Sequence, residues 1–232
     1  LAERMALFWH GHFATNEDKV RDYRKMQKQL ALFHQHGLGN FRDLLIGIAQ
    51  DPAMLAFLDA GVNVKGSPNE NFAREIMELF TMGVGQYSES DVREAARAFT
   101  GWNFEGLTFH IDTQRHDAGI KTVLGHTGNF DGIAVIDHIL AEPATARFIA
   151  TKLYRHFVSA NPSPQLQESL GALLRHHNYE LRPFLSTLFA SRDFYEHRGS
   201  RIKPPVEFII STYRKLGQSR IPGNPDFNHI SD

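Results

Sequence analysis

Asn69-Glu70-Asn71-Phe72-Ala73-Arg74-Glu75-Ile76-Met77-Glu78-Leu79-Phe80-Thr81-Met82 is the stretch whose periodicity decides the fold. Phe72, Ile76, Leu79 and Phe80 recur at helical spacing on one face, while Glu70, Arg74, Glu75 and Glu78 occupy the other. The pattern predicts one amphipathic helix over 69–82, ended by Gly83-Val84-Gly85. Ser88 and Asp91 have the spacing of a capping box, and they open a second helix with the apolar face Val92, Ala95, Ala96 and Phe99.

Working outward toward the start, Met5, Phe8, Trp9 and His12 form one spaced stripe, and Val20, Tyr23, Met26, Leu30 and Phe33 form another. Gly37 closes the second, with His34 and His36 in the last turn, where cations are favoured. Residues 41–48 and 52–58 read as short helices, the latter with proline at its first position. In the other direction, helices are predicted over 133–140, 143–158 with the stripe Ile149, Leu153 and Phe157, and 181–190. Asn161-Pro162-Ser163-Pro164 turns into a further helix. The last, over 204–216, carries Val206, Ile209, Tyr213 and Leu216. Between 101 and 131 the pattern breaks. Glycine, aspartate, threonine and histidine accumulate there, and Leu107-Thr108-Phe109-His110-Ile111 alternates apolar with polar. The prediction is a mainly α, multi-helix single domain over 1–232, with a small β-hairpin insert near residues 104–126. The chain starts at Leu1 within a helical pattern and ends in a Pro/Asn-rich tail over 221–232, so it reads as an excerpt of a longer protein.

Composition removes several classes. With 42% hydrophobic residues in 232 and a net charge of −1, the chain has a core to bury and is not a disordered segment. No apolar run reaches 18 residues, so no transmembrane segment is expected, and the balanced charge argues against a nucleic-acid partner. The absence of cysteine excludes disulfides, thiolate zinc sites and cysteine nucleophiles. Thirteen histidines make the surface charge responsive to pH between about 5 and 7.

Five strings carry a likeness to a known family. They are Phe8-Trp9-His10-Gly11-His12-Phe13, then Asn69-Glu70-Asn71-Phe72-Ala73-Arg74-Glu75 with Glu78-Leu79, and Asp91-Val92 leading to Ala98-Phe99-Thr100-Gly101-Trp102. His116-Asp117-Ala118-Gly119-Ile120-Lys121 with Leu124-Gly125, and Lys203-Pro204-Pro205-Val206-Glu207-Phe208, complete the set. In this order they resemble the bacterial family catalogued as domain of unknown function eighteen hundred, from residue 1 to about 217. The resemblance implies an exported, extracytoplasmic protein, longer at both ends, encoded beside a partner family similar to sulfatases and alkaline phosphatases. It supplies no catalytic residue to carry over.

The residues themselves offer three places for chemistry. On the 69–82 helix, Glu75 borders the apolar face and Asn69, Glu70 and Asn71 gather at the start. A partly desolvated carboxylate there would hold a metal, an ammonium or a partner arginine. The plainer reading pairs Arg74 with Glu70 and Glu78, each four residues away, on a solvated face. His10 and His12 are candidate metal ligands, yet on a helix they stand about 200° apart, and His12 shares the stripe of a core histidine. His116, Asp117 and Lys121 lie on one irregular loop and would supply acid, base and anion contacts, or else simply cap the turn. Trp102 would wall a pocket or pack as core.

Three functions follow as expectations. The first is an extracytoplasmic domain acting with the sulfatase-like partner. The second is a metal-dependent hydrolase with catalytic candidates Glu75, Glu78, His116, Asp117 and Lys121, and metal candidates His10, His12, His116 and Asp117; a divalent metal is the cofactor these groups would take. The third is a carbohydrate- or peptide-binding module with an exposed aromatic groove around Trp102; the binding candidates are Asn69, Glu70, Asn71, Arg74 and Trp102.

Overall fold

A computed structural model of the chain describes residues 1–199 and 202–217; the tail over 221–232 lies outside the described residues. The first half is a run of short helices: α1 (Ala2–His12), α2 (Glu17–Val20), α3 (Tyr23–His36), α4 (Phe41–Ala49), α5 (Pro52–Phe57) and α6 (Asn71–Met77), then α7 (Glu89–Ala98). Two antiparallel hairpins follow, β1 (Trp102–Glu105) with β2 (Thr108–Ile111), and β3 (Lys121–Val123) with β4 (His126–Gly128). The second half holds α8 (Gly132–Ala141), α9 (Pro143–Phe157), α10 (Pro164–His176), α11 (Leu181–Ala190), α12 (Arg192–Glu196) and α13 (Pro205–Lys215). This is the mainly α architecture that the periodicity predicts.

Helix starts are set by short polar side chains. Asn16, Asp22, Asn40, Asp51, Ser88, Asp131, Ser163 and Ser191 each accept a hydrogen bond from a backbone N–H of the first turn. Each satisfies an otherwise unpaired donor, worth about 1 kcal/mol. The Ser88–Asp91 capping box forms in full. Within the core, α10 approaches α9 closely because Gly171 has no side chain; a Cβ there would fall 2.8 Å from the Arg147 Cα.

The predicted 69–82 helix is not one α-helix. It begins at Asn71, because the Asn69 side chain accepts the Asn71 N–H at 2.9 Å, and it widens into a π-helical segment over Glu78–Met82. Thr81 causes the widening: its hydroxyl donates to the Ile76 carbonyl at 2.5 Å and the Met77 carbonyl at 3.2 Å, entering the backbone ladder.

The β insert is two hairpins rather than one. The Leu124-Gly125 turn has positive φ at both positions, 50° and 78°, the twist that joins antiparallel strands tightly. The insert docks on α7, where Asp91 accepts the Leu124 N–H at 2.7 Å and Glu94 accepts the Thr122 N–H at 3.2 Å. Aromatic packing fills the core on both sides of α6. Trp9, Phe13 and Phe41 stack near α1, and Phe72, Phe99 and Trp102 meet beneath the hairpins. Correcting the expected stripe Val206, Ile209, Tyr213 and Leu216, α13 turns no residue fully into the core. None of the described helices is long and apolar enough to cross a membrane.

Candidate functional site

The π segment sets the two candidate glutamates side by side. Glu78 accepts a short hydrogen bond from the Tyr87 hydroxyl, whose pKa is pushed up to about 12 by burial and by that carboxylate. Glu75, partly buried one turn earlier, is raised by desolvation first and by neighbouring Glu78 second. Arg74 does not pair with Glu78, as the helical spacing suggested. Its guanidinium forks onto Glu89 at 2.9 and 2.7 Å and reaches Glu70 at 3.2 Å, because the Glu78 carboxylate is taken by Tyr87. The Asn69 N–H donates to Asn63 and the Asn71 amide to the Leu58 carbonyl, so both asparagines tie the helix start to the preceding loop.

His12 is a hydrogen-bonded core histidine. The Phe80 carbonyl in the π segment can only accept, so Nε2 carries the proton it receives at 3.0 Å. Nδ1 is then an acceptor, and Lys152 of α9 donates to it at 2.9 Å. Burial, and next the Lys152 charge, push the imidazole down to about 3. His10 lies elsewhere on α1, edge-on to Phe33, and does not meet His12.

The third group is a clasp. Asp117 takes the Arg97 fork at 2.8 and 3.3 Å and the Gly119 N–H at 2.8 Å, and the Arg97 bond holds its carboxyl down to about 2. Lys121, 1% exposed, donates to the Asp117 and Gly119 carbonyls at 2.5 and 2.9 Å, and its burial lowers its pKa. His116 donates from Nδ1 to the Thr100 carbonyl at 2.9 Å. Trp102 is core, edge-on to Phe99 and Phe109 at 5.1 Å each. Among the described residues no three His, Asp or Glu side chains gather as a group that would hold a metal ion.

Another open feature involves His10 but none of the other candidate residues. A groove of about 500 Å³ runs between α1, α3 and α13. Its floor is Ala6, Leu7 and Leu30, its far wall Val206 and Ile210, and its polar rim includes Glu3, Arg4, His10, His34, Glu207 and Arg214. Arg4 pairs with Glu207 at 3.0 Å across it. An aromatic cavity of about 490 Å³, lined by Leu1, Arg4, Phe157, Phe189, Phe194 and Tyr195, adjoins it at Arg4. Of those aromatics only Phe157 belongs to a stripe visible in the sequence; the run Phe184, Phe189, Phe194 and Tyr195 was the available signal.

Along α13 the apolar side chains remain open: Val206 is 49% exposed, Phe208 59%, Ile209 46% and Ile210 49%. Fold and groove together define a multi-helix domain with a paired-hairpin insert and an uncovered apolar helix over its first helix. Residues 1–230 match the family described as "Protein of unknown function (DUF1800)", and the chain belongs to that family. No curated protein and no solved structure matches it. The first and last of the five strings meet at the groove, His10 from one and Val206 and Glu207 from the other.

Proposed function

We propose that this chain is a docking domain acting outside the cytoplasm, and that its α13 face receives a sulfatase-like partner protein. The observation that carries the reading is the set of open apolar side chains on α13, Val206, Phe208, Ile209 and Ile210, each about half exposed, of which Val206 and Ile210 line the groove. Covering the open half of each such side chain is worth roughly 1 kcal/mol, so four of them make a substantial anchor. The polar candidates elsewhere in the fold favour docking over catalysis, since His12, Asp117 and Lys121 each spend their hydrogen bonds inside it. The location outside the cytoplasm and the identity of the partner rest on the family likeness. A chain without cysteine has no thiol to be oxidised there.

The test is affinity capture from the envelope fraction of the native host, with tagged full-length protein and its Ile209→Glu variant. The expected result is a sulfatase-like protein recovered by the wild type and lost with the variant. Recovery of no such protein, or equal recovery by both, overturns the proposal. Fractionation of the same tagged protein into cytoplasm would overturn the placement.

A further inference from the structure

The β3–β4 hairpin meets α8 through two histidines laid face to face. The rings of His126 and His138 stack with centroids 4.2 Å apart and planes 7° from parallel, and Phe130 packs edge-on to His138 at 4.6 Å. His126 is aimed there because it pairs with buried Val123 across the hairpin, and a cross-strand pair shares one face. Among the described residues His138 Nε2, itself buried, has no hydrogen-bond partner. The charges around the pair are already engaged. Asp137 of α8, the anion that favours a charge on His138, takes the Arg42 fork from α4 at 2.6 and 3.0 Å. On α7, Asp91 and Glu94 accept the hairpin's own Leu124 and Thr122 N–H groups, and Asp131 at the start of α8 accepts the Ala134 N–H. Lys121 of β3 donates to the Asp117 and Gly119 carbonyls.

We propose that this stack is an acid-released latch: it holds the β3–β4 hairpin on α8 while at least one of the two rings is neutral, and releases it when both carry a proton. One imidazolium lying over a neutral ring keeps the contact, since a ring face attracts a cation. A second proton puts like charges 4.2 Å apart on parallel rings. It also makes both nitrogens of His138 donors, and Nε2 then holds a buried N–H with no acceptor. In keeping with that geometry, burial first and His126 second lower the His138 pKa, against the opposing pull of Asp137. A histidine depressed in the folded state contributes stability that is complete above its ordinary 6.5 and is lost as pH falls below it. The bonds from α7 to the hairpin do not involve either ring, so what loosens is the hairpin and not the fold.

The test is amide hydrogen exchange of the full chain at pH 7.5 and pH 4.5, read by peptide mass spectrometry and corrected for intrinsic exchange rates. The β1–β2 hairpin is the internal reference for any general loss of stability. The expected result is that acid lowers the protection of β3–β4 about tenfold more than that of β1–β2. His126→Phe and His138→Phe each keep a stacked ring and remove one charge, and each should bring the two hairpins to within about twofold of one another. His126 is exposed, so its variant decides the matter even where His138→Phe fails to fold. Equal loosening of the two hairpins in the wild type, or an excess in β3–β4 that persists in either folded variant, would overturn the proposal.

Discussion

Helices α9 and α13 are built alike and end differently. Both place proline in the first turn, and both carry an apolar stripe at helical spacing. Yet α9 buries Ile149, Ala150, Leu153 and Tyr154 almost completely, whereas α13 buries nothing fully. An amphipathic stripe states a demand for a partner, and folding decides whether that partner comes from the chain's own packed elements. For α9 it does: α10 and the π segment close over it. For α13, the side toward α1 is lined as much by Glu207, Ser211 and Arg214 as by Val206 and Ile210.

Acid breaks the comparison most strongly, because it loads charge into the packed end and leaves α13 alone. His12 has a folded pKa of about 3 against an ordinary 6.5, so its contribution is complete above pH 6.5 and is lost as pH falls from 6.5 toward 3. The loss amounts to about 5 kcal/mol. Asp51, pushed up to about 6 by burial from an ordinary 3.8, acts in the opposite sense: its contribution is complete below 3.8 and is lost as pH rises through 6. Urea denaturation of wild type and His12→Gln at pH 7 and pH 5 separates the two. The wild type should weaken more on acidification, and equal slopes would show that His12 is not held neutral.

Next in size, Leu153→Ala on α9 should cost about 3 kcal/mol as a cavity in a closed core, read as a lower urea midpoint. Ile209→Ala on α13 should cost under about 0.5 kcal/mol in the same assay. Comparable losses at the two positions would mean that α13 is covered after all. Asp117→Asn tests the insert, a polar region as firmly fixed as α9. Removing the charge leaves Arg97 without its fork partner and should cost about 2 kcal/mol, with faster amide exchange in β3. The smallest effect belongs to Arg4→Ala. Its ion pair with Glu207 is largely open on the Arg4 side, so stability should change by less than about 1 kcal/mol, while proteolysis within α13 should accelerate as that helix loses a tether.

Much of this was legible in residue order. The stripes of α1, α7 and α9, the Ser88–Asp91 cap and the irregular 101–131 segment follow from local spacing, which a helix or turn expresses wherever it folds. The expected stripe Val20, Tyr23, Met26, Leu30 and Phe33 does not hold, since Arg21 breaks the helix with φ 53° and Tyr23 and Leu30 are exposed while Gln29 and Phe33 face inward. The widening at Glu78 was not legible, since it depends on one hydroxyl, Thr81, choosing two carbonyls behind it. Nor was the destiny of the polar candidates. His116-Asp117 reads equally as catalytic loop or clasp until Arg97, twenty residues earlier, arrives at its carboxylate. The groove escaped because its walls lie about two hundred residues apart, and no local pattern joins Arg4 to Glu207.

By itself the sequence determined a helical domain with a polar β insert, free of thiol chemistry, and its membership of a family through five ordered strings. Only the tertiary structure decided which of the titratable groups are consumed by internal bonds, which helix remains uncovered, and that Lys152 meets a neutral imidazole instead of a carboxylate. The reason is physical: periodicity and caps act over one or two turns, while desolvation and charge pairing depend on what distant segments bring within a few ångströms.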